Sequence, residues 1–140
     1  MSHTVTLLRS QFVTHDVKHF IVSKPEGFSI VPGQGVELAV NRPELREQGR
    51  PFTPTGLAGD RVLEITIKAY PDHAGATKAL HQLEPGAELL MSEPFGTIRY
   101  EGPGVFIAGG AGVTPFLAIL RDLAGKGELD RQTLIFSNKA

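Results

Sequence analysis

The chain has 140 residues, of which 41% are hydrophobic and 21% charged, and its net charge at pH 7 is -1. This balance is typical of a folded domain, and the near-neutral charge argues against a nucleic-acid-binding surface. The chain contains no cysteine, which excludes disulfides, thiolate metal sites and cysteine nucleophiles. The first residues show no signal-peptide pattern, and no apolar run approaches the ~20 residues of a membrane span. We therefore expect a cytoplasmic protein without membrane or nucleic-acid partners.

Most of the chain up to about Pro103 reads as short strands separated by turns. Pro25-Glu-Gly27 and Pro32-Gly33 are typical turn sequences, because proline presets φ and glycine tolerates positive φ. The predicted strands lie at residues 5–7, 20–22, 36–40, 63–67, 87–91 and 97–100, and the alternation of apolar and polar residues is clearest at 63–67. A short helix is predicted at 77–83, ended by Pro85-Gly86. Such spacing favours a β-sandwich or a β-barrel.

The pattern changes near Pro103. An apolar strand at 105–108 is followed directly by Gly109-Gly-Ala-Gly112. Thr114 is then expected to be the N-cap of a helix, with Pro115 at its first position. An apolar stripe of helical spacing continues to Ala124, and a further strand is predicted at 133–136. We therefore divide the chain into one domain at 1–103 and a single β-α-β unit at 104–140.

The glycine turn is the first candidate for ligand binding. A glycine-rich turn between a strand and a helix lets backbone N–H groups approach an anion, and the helix dipole favours negative charge there. Gly110-x-Gly112 resembles the start of a dinucleotide fingerprint, with Pro115 where a third glycine would stand. The alternative is a tight turn in which glycine serves helix packing only.

Two further segments combine residue types suited to a phosphorylated ring compound. Arg50-Pro-Phe-Thr53 offers a cation, an aromatic ring and a hydroxyl; in an extended segment Arg50 and Phe52 share a face and Thr53 points away. The alternative is a proline-stiffened loop with a surface arginine and a core phenylalanine. Gly75-Ala-Thr77 opens the short helix, whose first N–H groups would suit a diphosphate; the alternative is an ordinary helix cap.

The remaining polar residues give no second site. The five histidines show no metal-ligand spacing, so no metal site is predicted, and each is expected at the surface or in a loop: His3, His15, His19, His73 and His81. Glu64 and Lys68 are expected on the solvated face of their strand.

Taken in order, these motifs resemble the ferredoxin–NADP reductase family, particularly the bacterial flavodoxin and ferredoxin reductases. The resemblance covers essentially the whole chain. It rests on Pro32-Gly-Gln34, Arg50-Pro-Phe-Thr53, Gly75-x-Thr77, Pro94-Phe-Gly96 and Gly109-Gly-x-Gly-Val-Thr-Pro115. It implies an all-β, six-stranded antiparallel Greek-key barrel that binds flavin, with one short helix, followed by a partial α/β nucleotide-binding segment.

The resemblance also implies roles for individual residues. Arg50 would bind the cofactor's phosphate, and Phe52, where the family has tyrosine, would pack against the isoalloxazine. The Thr53 hydroxyl would reach the flavin's reactive nitrogen, which makes Thr53 the predicted catalytic residue. Contact with the pyrophosphate through Gly75, Ala76 and Thr77 favours FAD over FMN. The implied cofactor-binding residues are Arg50, Phe52, Thr53, Ile67, Lys68, Tyr70, Gly75, Ala76 and Thr77, with Gly110, Gly112 and Thr114 at the nicotinamide cofactor's diphosphate.

In the implied reaction, electrons pass from NAD(P)H through FAD to a flavodoxin, a ferredoxin or an oxygenase component. A complete nucleotide-binding half needs β-α-β-α-β, whereas this chain has one β-α-β unit, so the use of NAD(P)H depends on that half being complete. Two alternatives therefore stay open: a stand-alone flavin-binding electron-transfer module, and a cofactor-free remnant. A two-stranded unit leaves apolar surface, which predicts packing against the barrel or in a homodimer.

Overall fold

The computed structural model describes residues 1–69 and 75–139, so the predictions for Tyr70 and His73 lie outside the described residues. In chain order, the elements of the described part are β1 (His3–Phe12), β2 (Val17–Ser23), β3 (Val36–Val40), β4 (Arg50–Phe52), β5 (Val62–Lys68), α1 (Ala76–His81), β6 (Glu88–Met91), β7 (Val105–Gly109), α2 (Thr114–Gly125) and β8 (Thr133–Ser137). No helix within these residues is long and apolar enough to cross a membrane.

Strands β1 to β6 form one antiparallel sheet in the order β4-β3-β6-β1-β2-β5. An isolated bridge between Pro54 and Ile65 brings the residues after β4 against β5, so the two ends of the sheet meet and the barrel is nearly closed. Because β6 lies between β1 and β3, the strands follow a Greek-key path rather than a simple meander. The prediction of a six-stranded antiparallel Greek-key barrel is confirmed.

The barrel core follows from the alternation along the strands. In β5, Leu63, Ile65 and Ile67 are at most 3% exposed, whereas the residues between them are only partly buried. Each fully buried side chain of this kind contributes about 1.5–3 kcal/mol through removal from water. The same core holds Val5 and Leu7 of β1. The period-2 pattern therefore predicted the inner face of β5 correctly.

The sixth strand is not the predicted one. Residues 97–100 form no strand, and β4, which pairs with β3 through Arg50 opposite Leu38, takes that place. Gly96, with φ 103°, turns the chain immediately after Phe95 forms its bridge with Gly35, so the following residues leave the sheet. Pro51 is tolerated in β4 because this is the terminal strand of the sheet order.

Helix α1 is shorter than predicted and begins one residue earlier, at Ala76. Its N-cap, Gly75, has φ 119° and ψ −149°, a conformation essentially restricted to glycine. Ala76 and Leu80 are the buried residues of this helix. The glycine at 75 is therefore required by the backbone, whatever else it contacts.

The C-terminal part forms the expected β-α-β unit, in which β7 and β8 pair in parallel. Residues Gly110–Val113 form a 3-10 turn that runs directly into α2. The prediction of Thr114 as N-cap is wrong: Thr114 already has helical φ and ψ of −59° and −43°, and its hydroxyl donates to the Ala111 carbonyl. The helix ends at Gly125, where Gly127 with φ 71° completes a Schellman motif through N–H groups bonded to Leu123 and Ala124.

Helix α2 packs on the barrel. Ile119 is 1% exposed, and its Cδ1 would lie 3.2 Å from a Cβ placed at Gly33, which would also collide with the Ile98 carbonyl oxygen. Glycine at 33 thus permits the close approach of helix and barrel. By contrast, the β7–β8 sheet exposes apolar side chains, with Ile107 at 71% and Ile135 at 54% exposure.

Candidate functional site

A cleft of about 290 Å³ lies where the barrel meets the start of the β-α-β unit. It is bordered by residues from six separate stretches of the chain, and most of its surface is apolar. The lining residues are Gly33, Gly35, Pro51, Phe52, Thr53, Thr66, Ile67, Lys68, Thr77, Phe95, Gly96, Ile98, Ala111 and Thr114.

The cleft brings together half of the residues singled out in the sequence. Those that line it are Phe52, Thr53, Ile67, Lys68, Thr77 and Thr114. Four others are direct chain neighbours of lining residues, namely Arg50, Ala76, Gly110 and Gly112, and Gly75 lies two residues before Thr77. Tyr70 lies outside the described residues. Ala76 is buried, with 3% exposure.

Residues 50–53 combine features of both interpretations left open for them, the ligand-binding segment and the structural loop. Arg50 is exposed on β4, and its Nη1 donates to the Gly49 carbonyl at 2.9 Å. Phe52 packs against the barrel core and also borders the cleft. The ring therefore contributes to the fold and also borders the space available to a ligand. Thr53 borders the same cleft.

Glu64 is not on a solvated face, and that expectation is wrong. Its Oε2 accepts hydrogen bonds from Thr55 Oγ1 at 2.9 Å and from Arg121 Nη1 at 2.5 Å, and its Oε1 lies 3.2 Å from His19 Nδ1. The side chain of Glu64 is 18% exposed. The reason is tertiary: α2 crosses this outer face of β5 and places Arg121 over it.

Lys68 is also less solvated than predicted. Its Nζ lies 4.0 Å from Asp16 Oδ2, and its side chain is 20% exposed. Because Lys68 borders the cleft, it places a positive charge at the site.

His81 is half-buried on α1 rather than at the surface or in a loop. Its Nε2 donates to the Ile67 carbonyl at 2.9 Å, and its ring meets Phe20 edge-on at 5.6 Å. Burial lowers the pKa of His81, and the nearby Lys18 ammonium adds to this effect. The contact ties the end of α1 to β5 beside the cleft.

Two other histidines lie in strands, where their side chains stay partly exposed, at 22% for His3 and 31% for His19. His3 lies on β1, 2.6 Å from Glu93 Oε1, and His19 lies on β2 beside Glu64. Within residues 1–69 and 75–139, no three acidic or histidine side chains are grouped closely enough to hold a metal ion.

The glycine turn is open to solvent. A Cβ added at Gly109, Gly110 or Gly112 would meet no atom within 4 Å. Helix packing therefore does not require glycine at these positions, although φ of 55° favours it at Gly110. The open space is what a ligand approaching the backbone needs.

Several lining residues were not among the predicted site residues: Gly33, Gly35, Pro51, Thr66, Phe95, Gly96, Ile98 and Ala111. The motifs Pro32-Gly-Gln34 and Pro94-Phe-Gly96 contain signals for some of them. Gly35 and Phe95 exchange two backbone hydrogen bonds, at 2.8 and 2.9 Å, and this long-range pairing forms one side of the cleft. No local sequence signal marks Thr66, which lies on the partly buried outer face of β5.

The chemistry of the lining fits a flavin dinucleotide. Phe52, Phe95 and Ile98 supply aromatic and apolar surface for a flat ring system, while threonine hydroxyls supply hydrogen bonds around it. Lys68 on the cleft and Arg50 beside it provide positive charge for phosphate.

Comparison with known proteins identifies the family. The model of the "Oxidoreductase FAD-binding domain" family matches residues 4–100. The chain is 27% identical over 135 residues to the ferredoxin–NAD(P)+ reductase component of the naphthalene 1,2-dioxygenase system of Pseudomonas putida, covering 94% of this chain and 40% of that protein. It is 32% identical over 151 residues to NADH-cytochrome b5 reductase 2 of Mycosarcoma maydis, covering 96% and 42%. The chain thus spans about two fifths of the length of these curated relatives.

Solved structures show the same fold. The flavohemoglobin of Malassezia yamatoensis with bound FAD and heme is similar with a TM-score of 0.79 and 27% identity, covering 98% of this chain and 38% of that one. A ferredoxin NADP+ reductase of Neisseria gonorrhoeae gives a TM-score of 0.82 at 20% identity, over 96% and 56% of the two chains. The prediction of FAD agrees with the family's cofactor. The chain therefore belongs to the oxidoreductase FAD-binding domain family, within the ferredoxin reductase-like proteins.

Proposed function

We propose that this chain holds FAD in the cleft and serves an oxidoreductase that moves electrons from NAD(P)H to a flavodoxin, a ferredoxin or an oxygenase component. One observation carries the proposal: Thr53, Thr77 and Thr114, from three distant motifs, border a single cleft. FAD, when bound, would supply the ability to accept two electrons from a nicotinamide and release them singly. The residues of this chain bind and orient it.

The residues after Gly49 would contact both the phosphate and the isoalloxazine of the cofactor. Arg50, exposed beside the cleft, would neutralise phosphate charge, because a guanidinium pairs well with phosphate oxygens. The ring of Phe52 would offer its face to the isoalloxazine. Thr53 would place its hydroxyl within hydrogen-bond reach of the reacting nitrogen and is the proposed catalytic residue.

Two neighbouring segments would complete the FAD site. Ile67, Lys68 and Tyr70 would lie along the cofactor, and Lys68 brings its charge to the cleft wall. Residues 75–77 would meet the pyrophosphate through their backbone, which is consistent with Thr77 on the cleft and Ala76 buried. A site for the diphosphate favours FAD over FMN.

The glycine turn would receive the diphosphate of NAD(P)H. Gly110 and Gly112 leave open space where side chains would otherwise stand, and Thr114 begins α2 at the rim of the cleft. The positive end of the helix dipole faces this approach. The turn would therefore bring the nicotinamide cofactor towards the flavin.

The relatives support an oxygenase-type partner. The Pseudomonas putida relative is a reductase component of a dioxygenase system, and a further relative is methane monooxygenase component C of Methylosinus trichosporium, 29% identical over 112 residues.

We also propose a FAD domain at 1–103, a nucleotide-binding segment at 104–140 and a cytoplasmic location. The exposed apolar side chains of Ile107 and Ile135 support a homodimer that covers the β7–β8 sheet.

The test is a visible spectrum of the purified chain after incubation with FAD or FMN and desalting. Retained FAD, followed by NADH or NADPH oxidation with an artificial one-electron acceptor, is the expected result. Retained FAD without oxidation would support a flavin-binding module that does not use NAD(P)H. A chain that retains neither flavin would contradict the proposal and leave the cofactor-free remnant.

A further inference from the structure

A chain of polar side chains crosses the outer face of β5. Thr55 is fully buried, with 0% exposure. Its Oγ1 lies 2.9 Å from Glu64 Oε2 and 2.8 Å from Thr66 Oγ1. Its backbone N–H also donates to the Glu64 carbonyl at 2.8 Å. Thr55 is therefore held in place from two sides and joins Glu64 to Thr66.

The direction of the hydrogen bonds follows from the chemistry of the groups. A carboxylate only accepts, and a threonine hydroxyl has one proton to donate. Glu64 Oε2 is paired with Arg121, so the Thr55 hydroxyl donates its proton to this carboxylate. Thr55 Oγ1 can then only accept from Thr66. The single proton of the Thr66 hydroxyl is thereby committed to Thr55.

The two ends of this chain lie in different parts of the molecule. Thr66 borders the cleft, alongside Thr53. Arg121 lies on α2, and its Nη1 also donates to the Thr55 carbonyl at 2.6 Å. Helix α2 is thus linked, through the side chains of Glu64 and Thr55, to the hydroxyl of a residue that borders the cleft.

We propose that Thr66 contacts the flavin as a hydrogen-bond acceptor, and that Thr55, Glu64 and Arg121 are positioning residues that hold its hydroxyl in this orientation. The inference rests on the proposed function, since it assumes that the cleft holds FAD. It adds a residue to the site and a coupling: displacement of α2 from the barrel changes the hydrogen bonding offered to the cofactor. A donor group of the flavin, such as a ribityl hydroxyl or a ring N–H, is the chemistry that Thr66 would recognise.

The first test compares Thr66→Val, which keeps the branched shape without the hydroxyl, with Thr66→Ser, which keeps the hydroxyl. Thr66→Val is expected to raise the Kd for FAD roughly three- to tenfold, as for loss of one hydrogen bond, and to shift the visible flavin bands. Thr66→Ser should restore both. Thr4→Val, at an exposed threonine of β1, is the matched control and should change neither.

The outcomes separate the two proposals. A wild-type chain that binds no FAD overturns the proposed function and this inference with it. A wild-type chain that binds FAD, together with Thr66→Val that leaves the Kd and the spectrum unchanged, overturns this inference only.

The second test asks whether Arg121 acts through Thr66. Arg121 is 44% exposed, so Arg121→Gln is expected to fold, and the melting temperature of each variant checks this. Arg121→Gln should raise the Kd for FAD roughly two- to fivefold in the otherwise unchanged chain and cause no further rise when combined with Thr66→Val, because linked residues are not additive. Additive effects, or no effect of Arg121→Gln, would overturn the positioning role. Lys126→Gln at the C-cap of the same helix is the control, since Lys126 pairs with Asp122 of that helix.

Discussion

Arg121 Nη1 donates to the main-chain carbonyl of Thr55 at 2.6 Å, which joins helix α2 to the barrel wall. The same guanidinium pairs with Glu64, whose side chain is 18% exposed. Together with Ile119 packed over Gly33, this contact fixes how the β-α-β unit sits on the barrel. The geometry of the cleft between them depends on it.

We predict that Arg121→Ala loosens α2 from the barrel. The free energy of unfolding should fall by about 1 kcal/mol, because a charged hydrogen bond is lost at a half-exposed side chain. Amide exchange should accelerate in α2 and remain unchanged in β1 and β2. Lys126→Ala removes only an exposed pair with Asp122 and should have a smaller effect. Equal exchange in α2 before and after Arg121→Ala would contradict this account.

Phe52→Leu should weaken FAD binding while preserving the fold. Leucine keeps apolar volume against the barrel core, and such changes usually cost less than about 1.5 kcal/mol. It removes the aromatic face proposed to contact the isoalloxazine, so the Kd for FAD should rise roughly tenfold. Fluorescence titration measures this, with Phe12→Leu at an exposed ring as the control. An unchanged Kd would exclude a stacking role for Phe52.

Gly112→Ala should leave stability unchanged and weaken nucleotide binding. An added Cβ meets nothing within 4 Å in the structure, so the free energy of unfolding should change by less than about 0.5 kcal/mol. The methyl group would stand where the diphosphate of NAD(P)H is proposed to approach. We expect a several-fold rise in KM for NAD(P)H, with FAD retained, whereas Gly104→Ala, which is equally uncrowded, should not alter KM. Loss of stability in Gly112→Ala would favour a purely structural turn.

The half-buried His81 predicts a pH dependence of stability. Burial lowers the pKa of His81 below its ordinary value of 6.5, so the unfolded chain binds a proton more readily than the folded one. Stability is therefore lost as pH falls through and below that ordinary value, and it is retained above it. Lys18 strengthens the lowering, and Asp16 opposes it.

His81→Gln should remove part of this acid sensitivity. Chemical denaturation at about pH 7.5 and about pH 5.5 should show a larger loss of stability in the wild-type chain than in the variant. His15→Gln, at a side chain that is 81% exposed, should behave like the wild type. If His81→Gln lost as much stability on acidification as the wild type, His81 would not be the responsible group.

Much of the barrel could be predicted locally. The alternation at residues 63–67 identified β5 and its buried face, because a strand with one face in the core needs apolar side chains at every second position. The glycine turn followed by an apolar stripe identified β7 and α2 for a similar reason. These patterns are local consequences of burial.

The partner of a strand is not determined by its local sequence, and the misassigned sixth strand is an error of this kind. Arg50–Phe52 forms a strand only because β3 lies beside it, whereas residues 97–100 leave the sheet after Gly96. Local strand preference favours the wrong segment here, because residues 97–100 contain Thr, Ile and Tyr whereas β4 contains Pro51. The neighbours that a strand acquires outweigh this preference.

The site shows the same division. Sequence motifs alone predicted four residues that line the cleft: Phe52 and Thr53 of one motif, Thr77 of a second and Thr114 of a third. Only the tertiary structure decided that Thr66 borders the same cleft and that Glu64, expected in solvent, is bonded to Thr55 and Arg121. The physical reason is that residue type and periodicity depend on each segment's own environment, whereas hydrogen-bond partners depend on which distant segment packs across it.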